Sequence, residues 1–598
     1  MRAHRLGVVL FVGGCAAAGS QALGRPGGPP PPAPPPAPAP LPPPAAAPLS
    51  IDSLLGTLTV REKAAQLVTP WLTGAYAAFD DSTFQVAARW IDSLRIGGLI
   101  ISVGSPLDIA VKLNALQARS PLPLLVSADL EWGAGMRLVG GTTFPHIMAV
   151  GATGDTADAY AIGRAAAIEG RPVGIHVNFA PDADLNNNPL NPIINTRSFG
   201  EDPVQVGRLV AAYVRGLREH GMLATLKHFP GHGDTDIDSH IGLPTIRADY
   251  ARLDSLELAP FRAGIGAGAD VVMSAHIAFP AFTGNAEPGT LSRAVLSGLL
   301  RDTLGFRGLV VTDALSMGAI VRQYGPGEAT VRAFLAGSDL LLMPADPDSA
   351  VNAMAAAVNQ GRISVDRLDA SVRRVLASKQ RLGLFAARQV PLDQIPLTVG
   401  VKRLQDAADD IAVRALTLVR DTAGALRALR RTRTRLTLIA YADELNSFAG
   451  QRMAEILRAG GDTVEYFRLW PMSGPLSYDS ARVAIARAPR VVFAANVRPL
   501  SSRGFIALPD SLARLITATD SLKPTVLVSL GSPYLLNQAP TAKSYLIAWS
   551  GARAAERAAA LALLGRVAIT GRLPIRLPPA YPIGHGLIFG DTTAVSPP

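Results

Sequence analysis

Between residues 97 and 344, short runs of apolar, often β-branched residues recur between longer stretches in which apolar and polar positions interleave. The runs are GGLIIS (97–102), PLLVSAD (123–129), HVNFAPDAD (176–184), ATLKHF (224–229), DVVMSA (270–275), GLVVTD (308–313) and DLLLMP (339–344), preceded by AAQLVTPWL at 64–72. Strands covered on both faces read this way, because neither face can be polar. The stretches between them, such as DPVQVGRLVAAYVRGLRE (202–219) and LSRAVLSGLLRDTL (291–304), space their apolar residues as amphipathic helices do. Repetition of the βα unit eight times predicts an α/β chain with a (β/α)8 barrel over residues 49–385. On such a barrel, chemistry belongs at the C-terminal ends of the strands. Asp129, Lys227, His228 and Asp313 all fall there.

A further helical stretch, SVDRLDASVRRVLASKQRLG (364–383), leads into a polar, proline-punctuated passage read as a linker over 386–410. A second βα series follows over 411–592, with strands expected at RLTLIAYA (435–442), TVEYFRL (463–469), RVVFAAN (490–496), TVLVSLGS (525–532) and YLIAWS (545–550). This predicts a smaller, separate α/β sandwich domain. It carries no dense group of histidines and acids, so its expected role is to pack against the barrel.

Composition narrows the class. The 598 residues are 48% apolar and 17% charged, as a globular protein of two or more domains requires. The formal charge is +10, but the arginines are scattered. The densest run, RALRRTRTR (427–435), leads into an apolar strand and lacks interleaved aromatics, so no nucleic-acid partner is expected. At the N-terminus, Arg2 and Arg5 precede an apolar run and then Val12-Gly13-Gly14-Cys15, which resembles a bacterial lipobox. Cys15 is the single cysteine, so it has no disulfide partner within the chain and is read as a lipidation site after a signal segment, 1–15. Residues 16–48, mostly Pro, Ala and Gly, are expected to form a stiff tether of roughly 3 Å per residue. An exported protein, periplasmic or at the cell surface and anchored to a membrane through Cys15, is therefore expected; ordinary secretion is the alternative. No later run is long and apolar enough to span a bilayer.

The segment KHFPGHGDTDIDSH (227–240) holds three of the nine histidines and three aspartates. Asp234, Asp236 and Asp238 have the spacing that opens a calcium loop, but Ser239 and Thr245 stand where such a loop needs Gly and Glu. His228 and His232 are four apart, yet Pro230 and Gly231 between them deny the helix of a zinc site. No metal or cofactor is expected. Asp238 and His240 are two apart, so in an extended loop their side chains share a face, and a carboxylate there can hold the imidazole's tautomer. The glycines would let the loop close over a bound substrate. His232, deeper in the glycine turn, is read as structural.

Together with VVTDALSMGAI (310–320), NPIINTRSFGEDP (191–203) and ITGRLPIRLP (569–578), this segment resembles glycoside hydrolase family 3, in its β-N-acetylglucosaminidase branch. The resemblance runs in order from about residue 50 to 590. It implies Asp313 as nucleophile, His240 as acid/base with Asp238 beside it, and Asp129, Arg137, Arg197, Lys227 and His228 as sugar-binding residues. The family's D-x-E-G-G-x-V-x-R appears as DLEWGAGMR (129–137), with Trp132 in place of a common Gly and Gly135 in place of a common Val. The chemistry stands on its own: retention needs one carboxylate to attack the anomeric carbon and a proton donor for the leaving oxygen. An imidazole near its ordinary value of ~6.5 can be that donor. The expected function is an exo-acting β-N-acetylglucosaminidase whose substrate is an oligosaccharide or muropeptide, from peptidoglycan fragments or chitin. The alternatives are a phosphorylase or β-glucosidase of the same family and, least favoured, a non-catalytic wall-binding protein.

Overall fold

The computed structural model describes residues 50–590 except 432 and 505. The signal segment, the tether and Cys15 lie outside the described residues. Seven parallel strands form one curled sheet in the order β2 (Trp71–Leu72), β3 (Gly98–Ile101), β4 (Leu125–Ala128), β5 (Val177–Asn178), β6 (Leu223–Phe229), β7 (Val271–Ser274) and β8 (Leu309–Val311). The ring is completed by β1 (Val68–Thr69), which runs through Pro70 into β2 and pairs in parallel with β9 (Leu341–Leu342). A bridge from Val311 to Leu340 ties β8 to β9. The eight strand positions are those the apolar runs predict. From β3 to β9 every strand residue is buried, which explains the absence of polar alternation.

The outer helices carry the capping chemistry their sequences supply. In helix Pro203–Arg218, Asp202 accepts from the Gln205 amide, proline takes the first turn and two arginines close the last. Its buried face also serves the site. Tyr213 donates its hydroxyl towards the carbonyls of Leu130 and Glu131, each at 3.0 Å, and so props the segment that follows β4.

The second domain is a six-stranded sheet in the order β10-β15-β14-β13-β11-β12, built from β10 (Thr417–Asp421), β11 (Arg435–Ala442), β12 (Thr463–Leu469), β13 (Arg490–Asn496), β14 (Thr525–Ser529) and β15 (Ser544–Ile547). Five strands are parallel; β10 is an antiparallel edge absent from the sequence reading. The passage expected as a linker includes most of helix Lys402–Ala415, which packs on helices of both domains. At the junction, Trp549 is fully buried and donates to the Ala415 carbonyl at 2.8 Å. Asn186 donates to the Tyr534 hydroxyl at 2.8 Å, and the amide of Glu201 donates to the Pro574 carbonyl at 3.0 Å. The Gly-Arg-Leu-Pro segment therefore clasps the barrel, and Gly200 faces Pro574 too closely for any side chain.

Candidate active site

A cavity of about 600 Å³ opens at the C-terminal mouth of the barrel. All seven sequence-predicted contact residues Asp129, Arg137, Arg197, Lys227, His228, His240 and Asp313 line it, and Asp238 stands just behind His240. Loop residues Arg498–Ser502 of the second domain form part of its wall.

Asp313 lies two residues past β8, and one carboxylate oxygen accepts from the Ala314 amide at 2.7 Å. Burial alone would raise its pKa, but the imidazoles of His276, His228 and His240, with the Ala314 amide, pull it down to about 2. Asp313 is thus ionised throughout the neutral range. His276, just past β7, is buried, with Nε2 2.9 Å from the Ala314 carbonyl and Nδ1 2.8 Å from the Thr290 hydroxyl. It holds the carbonyl of the residue after Asp313.

His240 lies on the loop after β6. A carboxylate only accepts, so the 2.7 Å contact between His240 Nδ1 and Asp238 Oδ1 places the proton on Nδ1 and turns Nε2 outward. The His240 amide donates to the same oxygen at 2.9 Å, and the Ser502 amide donates to Oδ2 at 2.7 Å. Asp238 is 1% exposed. Burial disfavours its charge, yet the hydrogen bonds from His240 and Ser502 hold it below the usual carboxylate range. The loop is seated against the segment that follows Asp313: a side chain at Gly318 would meet the His240 carbonyl at 2.8 Å. His232 fastens the same loop, with Nδ1 2.9 Å from Thr235 and Nε2 3.0 Å from Ser239, and burial lowers it to about 4.

The remaining polar groups form one buried network. Lys227 reaches Asp129 at 3.0 Å and Glu131 at 2.7 Å, Arg197 holds both oxygens of Glu131 at 2.9 and 3.0 Å, and Arg137 reaches Asp129 at 2.9 Å. Burial opposes charge on Glu131 and on Lys227, but Arg197 first and then Lys227 lower the acid, while Glu131 and Asp129 raise the ammonium. Asp182 sits beneath, 3.2 Å from Arg197 and 3.6 Å from Lys227, with neither oxygen hydrogen-bonded, and burial outweighs those cations to push its pKa up. His228 is anchored through Nδ1 to Asp184 at 2.8 Å, which leaves Nε2 as the nitrogen available to the cavity. Trp132 stacks on His146 with ring centroids 4.4 Å apart and lines the cavity. Gly135 leaves no room for the common Val, since a Cβ would lie 2.0 Å from the Thr143 hydroxyl.

Glu131, Asp182, Asp184 and His276 were not singled out from sequence as site residues. Their signal was position: each lies at or just beyond the C-terminal end of a strand. Ser502 offered none, because it acts through a backbone amide. Chemically, the cavity sets an ionised carboxylate and a carboxylate-oriented imidazole beside anchored groups that match sugar hydroxyls.

The family model for the glycosyl hydrolase family 3 N-terminal domain matches residues 59–378. A beta-N-acetylglucosaminidase/beta-glucosidase of Cellulomonas fimi is 30% identical over 509 residues, covering 81% of this chain and 88% of its own. Among solved structures, the glycoside hydrolase family 3 beta-N-acetylglucosaminidase from Paenibacillus sp. str. FPU-7 is similar with a TM-score of 0.78 at 34% identity, covering 87% of this chain and 99% of that one. The beta-glucoside phosphorylase BglX aligns with a TM-score of 0.79 at 26% identity, over 88% and 96% of the two chains.

Proposed function

The chain belongs to glycosyl hydrolase family 3 and is a glycoside hydrolase; from that premise we propose that it is a retaining exo-β-N-acetylglucosaminidase. The observation that carries the reading is the Asp238–His240 pair held in the same cavity as the ionised Asp313. The solved beta-N-acetylglucosaminidase is 34% identical, against 26% for the phosphorylase, which supports the choice of sugar.

In this mechanism an Asp313 oxygen attacks the anomeric carbon while His240 Nε2 delivers its proton to the departing glycosidic oxygen. The bond to the aglycone breaks with its electron pair, leaving a glycosyl ester on Asp313. His240, now neutral, takes a proton from water as that water attacks the same carbon and releases Asp313. Asp238 holds Nδ1–H throughout and steadies the imidazolium present before the first transfer and formed again by the second. Asp129, Arg137 and Lys227 bind hydroxyls of the terminal ring, and His228 contributes Nε2. The donor is the end of a chitin-derived oligosaccharide or peptidoglycan fragment. On the same reading the enzyme is exported and held at a membrane by a lipid on Cys15, supported by the Val12-Gly13-Gly14-Cys15 run and the Pro-rich residues after it.

The test compares aryl β-glycosides of N-acetylglucosamine and of glucose, with and without phosphate. Faster release from the N-acetylglucosaminide, as free sugar of retained β configuration, is the expected result. Preference for glucose overturns the choice of sugar. Formation of a sugar 1-phosphate favours the second reading, a phosphorylase, which the likeness to BglX motivates.

A further inference from the structure

The end of the barrel remote from the catalytic cavity carries a second polar site. Two adjoining cavities of about 400 and 270 Å³ open there, among the residues that start β6, β7 and β8 and the last turns of helix Val365–Arg381. They are lined by Arg171, Arg218, Arg307, Arg374 and Arg381, and Asp270 is the acidic residue among the described lining residues. Catalytic residues of this architecture lie at the opposite face, so the cluster is not an extension of the active site.

Asp270 is already engaged. It takes Arg381 at 2.6 Å and Arg218 at 3.3 Å, and its second oxygen also accepts from the Ala224 amide at 3.2 Å. Arg374 turns towards Asp339 at 3.0 Å, but Arg301 reaches that carboxylate as well, at 2.6 Å. Neither acid has charge to spare. Arg307 is exposed and makes no ion pair among the described residues. Arg171 has a buried Nη1 with no hydrogen-bond partner, and burial lowers its hold on the proton without any opposing carboxylate. A buried guanidinium donor left unmet is costly, and like charges gathered in a cleft raise the local concentration of anions.

We propose that these two cavities bind a phosphate-bearing polyanion, a chain of linked phosphates, across Arg171, Arg218, Arg307 and Arg381. The planar guanidinium fork pairs two donors with a phosphate's oxygens, and side chains arriving from several strand ends can hold successive groups. Two joined cavities offer more room than one phosphate fills, which favours a chain over a lone ion. The Arg218 and Arg381 side chains are 39% and 54% exposed, so the ligand has a route in.

The test titrates the full chain with inorganic tripolyphosphate and, separately, with orthophosphate, by calorimetry at constant ionic strength. Tripolyphosphate is expected to bind at least about tenfold more tightly than orthophosphate. Arg307→Ser and Arg171→Gln should each weaken it by about tenfold while hydrolysis of an aryl glycoside is unchanged. Arg482→Ser, on the surface of the second domain, should bind as the parent does. Absence of binding in the parent, unchanged affinity in both cavity variants, or an equal loss in Arg482→Ser overturns the site. Equal affinity for the two anions overturns the assignment to a chain. Arg307 is exposed, so its variant tests the site without disturbing the core.

Discussion

The backbone amide of Ser502 donates to Oδ2 of Asp238 at 2.7 Å, while Oδ1 of the same carboxylate holds His240 Nδ1, also at 2.7 Å. The second domain thus completes the pair that the barrel loop supplies. Ser502 has φ +69°, a conformation that glycine adopts freely and proline cannot. Ser502→Gly should leave activity near that of the parent. Ser502→Pro should lower kcat on a disaccharide by about tenfold to a hundredfold, the range of a lost charge-assisted hydrogen bond. Kinetics of the two variants on a natural disaccharide check this; equal rates in the proline variant and the parent would make the contact incidental.

Stability should fall as the solution is acidified below about pH 6.5, and His232 is one cause. Its folded pKa is lowered to about 4 by burial beside His228, whereas in the unfolded chain it titrates near ~6.5. Between those values the unfolded chain binds a proton that the folded protein refuses, so the contribution is complete above about 6.5 and is lost as pH falls towards 4. His146, lowered to about 3 by burial and Arg498, adds in the same direction. Melting temperatures of the parent and His232→Gln from pH 7 to 4 measure it. The variant should show the shallower slope, even if it melts lower at pH 7 through loss of the bonds to Thr235 and Ser239.

The barrel was legible because strands covered on both faces must be written as near-continuous apolar runs, and the eight quoted runs contain their strands save for Leu223, the first residue of β6. The antiparallel edge β10 was not, since its last residues, Arg420 and Asp421, are only half-buried and blur the run. The end of TVLVSLGS turns instead of extending: a side chain at Gly531 would meet the Val497 carbonyl at 2.2 Å. In the site, Asp313, Asp238 and His240 could be read because their residue types announce chemistry at strand ends or within one loop. Asp184 lies in a run read for its strand, but its role depends on His228, which lies 44 residues away. The Ser502 contact could not be read at all, since every residue but proline carries the same amide.

Cys15→Ala should remove the protein from the membrane fraction or leave it unprocessed. The reason is the Val12-Gly13-Gly14-Cys15 run ahead of the Pro-rich stretch. Fractionation of cells expressing each form, with the aryl glycosidase activity as marker, measures it. Identical partitioning of the two forms would favour ordinary secretion.

The roles of Asp313 and His240 separate by leaving group. Without the nucleophile no glycosyl ester forms on any substrate, so Asp313→Ala should abolish turnover of disaccharide and nitrophenyl glycoside alike. Proton donation matters in proportion to the basicity of the departing oxygen: a sugar alkoxide must be protonated, whereas a nitrophenolate leaves unaided. His240→Ala should therefore cost about a hundredfold or more on the disaccharide. On the nitrophenyl glycoside it should spare the first step and slow the second, where the same imidazole must take a proton from water. Asp238→Ala should show the same pattern more mildly, because the imidazole remains but its Nδ1 proton loses the partner 2.7 Å away. Steady-state rates on both substrates, with the burst of nitrophenol measured in His240→Ala, give the comparison. Equal losses on the two substrates would mean that His240 binds the sugar and that the proton comes from another group in the cavity.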